Sequence, residues 1–289
     1  MEENIVLNGE LLSGGGASFP VKDEGLAYGF GLFETIKIRD GRPCFFDEHY
    51  ERHLLGVDAS GMNLGFSKEE VYWQARALAE SMGVVNGALK IVTAKAGTRE
   101  NTYLYFKRVS SVNLDRPLRI RMSSMIKTST AFTVRHKTLN YMDNFRELSL
   151  AEEHGFDECL FTNERGELTE CSAANLFFEK AGAIRTPSAD CGLLEGIVRA
   201  KVIQIAREAG YSILEGRCFP EDLEEADGVF ITNSGIGIAA VEEIDMGRTL
   251  SFDASNGGII HSLSSKLDEM EKDSLRRPDD QAFKANEFD

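Results

Sequence analysis

The chain has 289 residues, enough to bury one large core or two modest ones, and its 42% hydrophobic and 27% charged residues are those of a globular protein. A formal charge of −15 with no basic stripe excludes a nucleic-acid or anionic-membrane surface, and any anionic ligand then needs a local cluster of cations and backbone donors. Cys44, Cys159, Cys171, Cys191 and Cys218 are dispersed with no C-x-x-C pair, which excludes a disulfide framework or zinc ribbon and fits a reducing, cytoplasmic setting.

The first residues, MEENIVLNGE, lack the basic-then-apolar pattern of a signal peptide, and no run approaches the ~18 apolar residues of a membrane span. NIVLNGELL predicts a hairpin around Asn8-Gly9, and LFETIKIRDGRPCFF predicts two strands around Asp40-Gly41. On the first of these strands Leu32, Ile36 and Ile38 share a face with Glu34, while Phe33, Thr35, Lys37 and Arg39 take the other. One helix is predicted from about Asp47 to Gly61, and a second after the cap Ser67 with Glu70 three residues on. ALKIVTAK and TYLYFKR complete an α+β lobe.

The polar stretch SSVNLDRP (110–117) is the predicted linker, dividing a smaller N-terminal lobe (1–112) from a larger C-terminal lobe (113–289). Beyond it come a strand at LRIRMSS, an irregular Ser/Thr-rich stretch leading to HKTLNY, and a helix to about His154. Strands follow at ECLFTN, ELTECS, NLFFEK and AIRTP, then a helix from Glu195 to Glu208 with Val198, Val202 and Ile205 as its stripe, ended by Gly210. GVFITNS is a further strand, Ile260 to Met270 a final helix, and the tail from about Arg276 is polar and frayed.

Three segments of the second lobe suit an anion. Gly192 to Val198 opens a helix with glycines at its start, Thr232-Asn233-Ser234-Gly235 ends a strand with hydroxyls and a turn, and Arg135-His136-Lys137 puts positive charge in an irregular segment. Each alone also reads as an ordinary connection, turn or solvated patch. His49 and His53 are four apart on a helix but imply no acidic third ligand, so no metal is expected. Cys171 reads as packing, and Glu221 to Ala226 as a solvated helical face.

In their order along the chain these segments resemble the class IV aminotransferases. The matching blocks are GLAYGFGLFET (25–35), HYER (49–52), KTLNY (137–141), GFDE (155–158), GELTECSAANLF (166–177), Thr186-Pro187, LEGIVR (194–199) and Thr232-Asn233-Ser234. The resemblance implies the two-lobed α/β (α+β) architecture of the fold-type IV, D-amino-acid aminotransferase-like enzymes, with pyridoxal 5′-phosphate (PLP) as cofactor and a homodimer as the working unit. It matches Lys137 to the lysine that bonds the cofactor and moves the substrate proton, and Glu170 to the carboxylate on the pyridine nitrogen. Arg52, Ser234 and the helix start at Gly196, Ile197 and Val198 match the phosphate site. Val198 stands where the family usually has threonine, so one hydroxyl contact is lost. Tyr141 matches a tyrosine near the cofactor's phenolic oxygen, one residue closer to the lysine than usual. Tyr28, Phe33 and Gly235 are assigned to the substrate pocket, with Phe33 where D-amino-acid enzymes carry a carboxylate-binding tyrosine, and Arg99 reaches the pocket from a loop of lobe one.

The implied activity is transfer of an amino group from an amino acid (branched-chain-like) to a 2-oxo acid. A second expectation is the 4-amino-4-deoxychorismate lyase, because the turn at Thr232–Ile238 carries Gly237 where aminotransferases usually have glutamate; Ala239-Ala240 replaces the Arg-Pro common in the lyases. A third is a binding protein on a degenerate PLP fold, against which Lys137, Glu170 and Arg52 speak together.

Overall fold

The computed structural model describes residues 4–13, 16–107, 116–254 and 258–277. Six strands make the first sheet: β1 (Ile5–Leu7), β2 (Glu10–Leu12), β3 (Gly31–Arg39), β4 (Arg42–Pro43), β5 (Gly87–Ala96) and β6 (Arg99–Lys107), in the antiparallel order β2-β1-β6-β5-β3-β4. Both predicted hairpins form. Asn8 and Gly9 (φ 50° and 89°) and Asp40 and Gly41 (φ 51° and 68°) occupy the left-handed region that a two-residue turn of matching twist requires. Short α1 (Glu24–Tyr28) precedes β3, and α2 (Phe46–Ala59) and α3 (Lys68–Ser81) cover one face of the sheet. The Ser67–Glu70 capping box starts α3.

Period-2 alternation sends Leu32, Ile36 and Ile38 to the face under the helices, where they meet Val57, Val71, Leu78 and Leu104. Phe33, Val92 and Ala94 go to the opposite face and pack against Leu139 and Tyr141 of the second half of the chain. Lobe one therefore presents a wall as well as a core.

The second sheet comprises β7 (Leu118–Lys127), β8 (Glu158–Asn163), β9 (Leu168–Cys171), β10 (Asn175–Lys180), β11 (Ala183–Pro187), β12 (Ser212–Gly216), β13 (Gly228–Asn233), β14 (Gly237–Asp245) and β15 (Thr249–Ser251). Its order is β12-β11-β10-β13-β14-β7-β8-β9, with β15 on β14; β9 also pairs β10, so the six strands from β10 through β9 close on themselves. Interspersed are α4 (Phe132–Arg135), α5 (Met142–Glu153), α6 (Ile197–Glu208) and α7 (Gly258–Ser274). Phe177, Phe230, Val198, Val202, Leu263 and Leu267 form the layer between the sheet and the two helices α6 and α7. Cys171 is fully buried in the other core of this half, as its packing reading requires.

Two seams join the halves. Phe33 N–H donates to Lys137 O and Leu139 N–H to Gly31 O, each at 2.8 Å, so the segment carrying Lys137 is stitched to β3. Across the far end of β3, Lys37 pairs with the buried Glu271 of α7 at 2.6 Å and Arg39 pairs with Asp268.

The expected elements stand with ends shifted by a few residues: α6 starts at Ile197 instead of Glu195, and α7 runs beyond Ile260–Met270 at both ends. α1 and α4 are too short to show a helical period, and β12, β14 and β15 are strands that no pattern announced. Glu221–Ala226 is only partly a solvated face. A 3₁₀ turn, Pro220–Glu225, buries Leu223 completely and holds Asp222 2.8 Å from Lys180. The predicted lobe boundary at 112/113 and most of the predicted linker lie outside the described residues, as does the tail beyond 277.

Candidate active site

The site assembles where the Phe33 face of the first sheet meets the strand ends of the second. Its first part grows from Glu34. Strand alternation buries this carboxylate under the helices of lobe one (0% exposed), where an unpaired charge costs several kcal/mol. It is paired. Arg52, one turn after His49 on α2, donates from Nε to Glu34 Oε1 (2.7 Å) and from Nη2 to Oε2 (2.8 Å). His49 Nδ1 lies 2.8 Å from Oε2. Burial pushes the Glu34 carboxyl up, but the charges and hydrogen bonds of Arg52 and His49 outweigh it and hold the group well below the usual carboxylate range.

From there the network reaches the second half of the chain. Arg52 Nη1 donates to Glu195 O (2.9 Å), which sets the guanidinium at the N-terminus of α6. His49 Nε2 lies 3.4 Å from Ser234 Oγ, on the turn after β13. No side chain caps α6, so its first N–H groups face outward from a positive dipole end. At its N-cap, a side chain on Gly196 would collide with Asn175 Oδ1, and Asn175 Nδ2 donates to Leu194 O at 2.8 Å. Any larger residue at 196 would therefore force Asn175 to shift. Two residues before Ser234, Thr232 Oγ1 is buried without a partner.

The second part is centred on Lys137. Its Nζ lies 4.6 Å from the Phe33 ring centroid and 5.5 Å from that of Tyr141, and no hydrogen bond to it is found among the described residues. Burial first, and then the Arg52 charge, lower its pKa to about 8 against the pull of Glu34 and Glu170. Tyr141 is the N-cap of α5, with its ring 5.3 Å from Phe33 and edge-on to it; burial raises its phenol. Beyond them Glu170 is buried at 8% exposure. Its Oε1 accepts from Lys127 Nζ (2.9 Å) and its Oε2 from the Leu194 N–H (3.0 Å), which leaves lone pairs for a further donor.

The arrangement thus brings together Lys137, Glu170, Tyr141, Phe33, Arg52, Ser234, Gly196, Ile197 and Val198. Tyr28 is 77% exposed at the end of α1, and Arg99 and Gly235 are exposed; among the described residues, no hydrogen bond or ring contact ties Tyr28 or Arg99 to the cluster. Val198 is buried against Val202, so its side chain serves the core and only its backbone faces the helix end.

Sequence reasoning gave Lys127 and Lys90 no role, left Glu34 without a partner, and weighed His49 only as half of a metal pair. The signal for Glu34 was in the pattern, since a carboxylate on the apolar face of a strand demands partners. Lys90 of β5 lies 3.8 Å from the Phe33 centroid, and burial together with the nearby Lys137 charge brings its pKa down to about 7. His49 and His53 have separate partners, Glu34 for His49 and Thr93 for His53. His53 Nε2 bonds Thr93 Oγ1 at 2.9 Å, and burial lowers its pKa to about 4. No cluster of three potential ligands occurs among the described residues.

The family model for class IV amino-transferases matches residues 31–244. The chain belongs to the class IV aminotransferases. A Methanocaldococcus jannaschii protein named provisionally as a branched-chain-amino-acid aminotransferase is 28% identical over 93% of this chain and 95% of its own. An aminodeoxychorismate lyase of Bacillus subtilis is 26% identical over 84% of this chain and 88% of its own length. In fold, the branched-chain aminotransferase of Escherichia coli superposes with a TM-score of 0.86, covering 96% of this chain and 97% of that one at 20% identity. This class IV chain is accordingly a PLP-dependent enzyme of fold type IV. No described helix is long and apolar enough to cross a membrane.

Proposed function

We propose that the enzyme is an aminotransferase moving an amino group from a branched-chain-like amino acid to a 2-oxo acid, with Lys137 as the group that bonds PLP and carries the proton. The observation that carries this reading is the Lys137 amine: half-buried, without a hydrogen bond among the described residues, lowered to about 8 chiefly by desolvation, and set between an Arg52–Glu34 pair and a Lys127–Glu170 pair. An amine of that basicity is about one-tenth neutral at pH 7, against less than a thousandth for an ordinary lysine, as a nucleophile and proton carrier needs.

The chain's own groups fit the cofactor. Arg52, the open N-terminus of α6 at Ile197 and Val198, and Ser234 would hold a phosphate, and a side chain at Gly196 would displace Asn175 beside them. Glu170, already oriented by Lys127 and the Leu194 N–H, would accept the pyridine N–H, and its charge would keep that nitrogen protonated. Tyr141 would stand beside the ring oxygen. PLP, when bound, would supply an electron sink for a substrate amine bonded to it. Lys137 would take and hold the substrate Cα proton, and the Phe33–Tyr141 wall would keep water from the exchange. A homodimer, in which lobe one of a second subunit completes the pocket, accompanies this reading; the exposed Tyr28 and Arg99 are the residues we assign to that completion.

The turn at residues 233–237 favours a second reading. Asn233 Oδ1 accepts from the N–H groups of Gly235 (2.8 Å) and Ile236 (2.9 Å), and Gly237, at φ 69°, puts no acidic side chain there. That turn supports the lyase, in which 4-amino-4-deoxychorismate gives 4-aminobenzoate and pyruvate. The experiment is PLP loading, followed by an amino-acid panel with 2-oxoglutarate and, separately, aminodeoxychorismate. Amino transfer that requires an acceptor and is lost in Lys137→Ala is expected. Formation of 4-aminobenzoate without an acceptor selects the lyase, and failure of PLP to bind Lys137 refutes both.

A further inference from the structure

Ser234 has one hydroxyl hydrogen and two claims on it. Glu34 accepts two N–H groups from Arg52 and is held ionised, so the His49 nitrogen facing it, Nδ1 at 2.8 Å, must carry a hydrogen. While the imidazole is neutral, Nε2 is then a bare acceptor, and the Ser234 hydroxyl 3.4 Å away is the group placed to donate to it. A phosphate dianion offers only acceptors and needs that same hydrogen. Released by Ser234, a neutral His49 would leave Nε2 buried without a donor (the residue is 1% exposed).

We propose that His49 is a positioning residue that takes up one proton when the cofactor phosphate arrives, so that Nε2–H donates to Ser234 Oγ and the Ser234 hydroxyl donates to the phosphate. The proton comes from solvent and no covalent bond changes. The inference rests on the phosphate site proposed above. His49 is faced by Glu34 from β3, by Glu48 and Arg52 from its own helix, by Lys137 from the segment before α5, and by Ser234 from the turn after β13. Burial, then Arg52 and Lys137, favour the neutral ring, whereas Glu34 favours the cation. The balance lies on the side of the neutral ring, burial being the largest influence, and a dianion two hydrogen bonds away adds to the side of Glu34. The result is an Arg52–Glu34–His49–Ser234 relay whose last member changes direction as the ligand binds.

The test uses pyridoxine 5′-phosphate, which has no aldehyde to react with an amine, and Lys137→Met protein, so that Lys137 cannot contribute protons. At pH 8 the ligand's phosphate, with its second pKa of about 6, is already a dianion. Titration calorimetry in two buffers of different ionisation enthalpy is expected to show uptake of about one proton per ligand bound. Affinity should rise about tenfold for each pH unit lowered from 9 toward 7, a range in which the free-state ring is neutral, the ring in the complex is protonated and the phosphate is still a dianion. His49→Gln, whose amide N–H can donate to Ser234 at any pH, should bind with no proton uptake and a flat pH profile. A merely structural histidine predicts instead that His49→Gln weakens binding and keeps the slope. Tight binding without proton uptake, or an unchanged slope in His49→Gln, overturns the proposal alone. No binding at any pH by protein with native circular dichroism overturns the phosphate site and the proposal together.

Discussion

Glu34→Gln offers the sharpest test of the electrostatic frame around the site. The change is isosteric, so it removes a charge and leaves the packing. In its place an amide faces the Arg52 fork and the His49 Nδ1–H with one acceptor in place of two, and turns its NH₂ toward other donors. Removing one partner of a buried ion pair costs roughly 3–5 kcal/mol. The Glu34 side chain is 1% exposed but that of Arg52 is 18% exposed, so part of the guanidinium's charge can turn to water, and the lower end of that range is expected. With a urea slope of about 3 kcal/mol/M for a chain of this size, the unfolding midpoint should fall by about 1 M at pH 7. The pH dependence has a definite sign. The folded pKa of Glu34 is depressed below its unfolded value, so its stabilisation is fully present above about pH 4.3 and is lost as pH falls through the folded value. The gap between wild type and variant should therefore be constant from pH 6 to 8 and close below pH 4. A midpoint shift under about 0.3 M at pH 7, or a gap that widens in acid, would refute the reasoning.

Lys127→Met should lower stability by about 3 kcal/mol, because both side chains of the Lys127–Glu170 pair are nearly buried (6% and 11% exposed); the double variant with Glu170→Gln should regain most of that loss in the same urea titration. Lys90→Met should act in the opposite direction. The Lys90 pKa of about 7 in the fold lies below the unfolded value of about 10.4, so the folded state binds fewer protons between those values and stability rises with pH there. The variant should be more stable than wild type below pH 7, with the advantage vanishing toward pH 10, and a constant difference would count against an unpaired ammonium beside Lys137. Gly196→Ala should drive Asn175 from its bond to Leu194 O, costing about 1–3 kcal/mol of stability and weakening pyridoxine 5′-phosphate binding at least tenfold, as read by calorimetry.

The parts of this molecule legible in its sequence were those set by short-range rules. Asn8-Gly9 and Asp40-Gly41 dictate two-residue hairpins, Ser67 and Glu70 dictate a helix start, and the alternation along β3 correctly put Phe33 and Glu34 on opposite faces. β14 was invisible because Ala239, Ala240, Glu242 and Glu243 are poor strand formers; it exists because β13 and β7 flank it on both sides. The ordered blocks pointed to Lys137, Glu170, Arg52 and the start of α6, which the fold brings near one another, yet they were silent on the partners those groups meet there. That information is non-local. Lys127 meets Glu170 across 43 residues, and His49 meets Ser234 across 185. One inference was nonetheless available. A carboxylate at Glu34 on an apolar strand face cannot be buried alone, and HYER on the next helix carries both a histidine and an arginine one turn apart. Had burial cost been weighed there, His49 would have been read as a partner of Glu34 instead of half of an improbable metal pair, and the link from lobe one to the Ser234 turn would have followed from it.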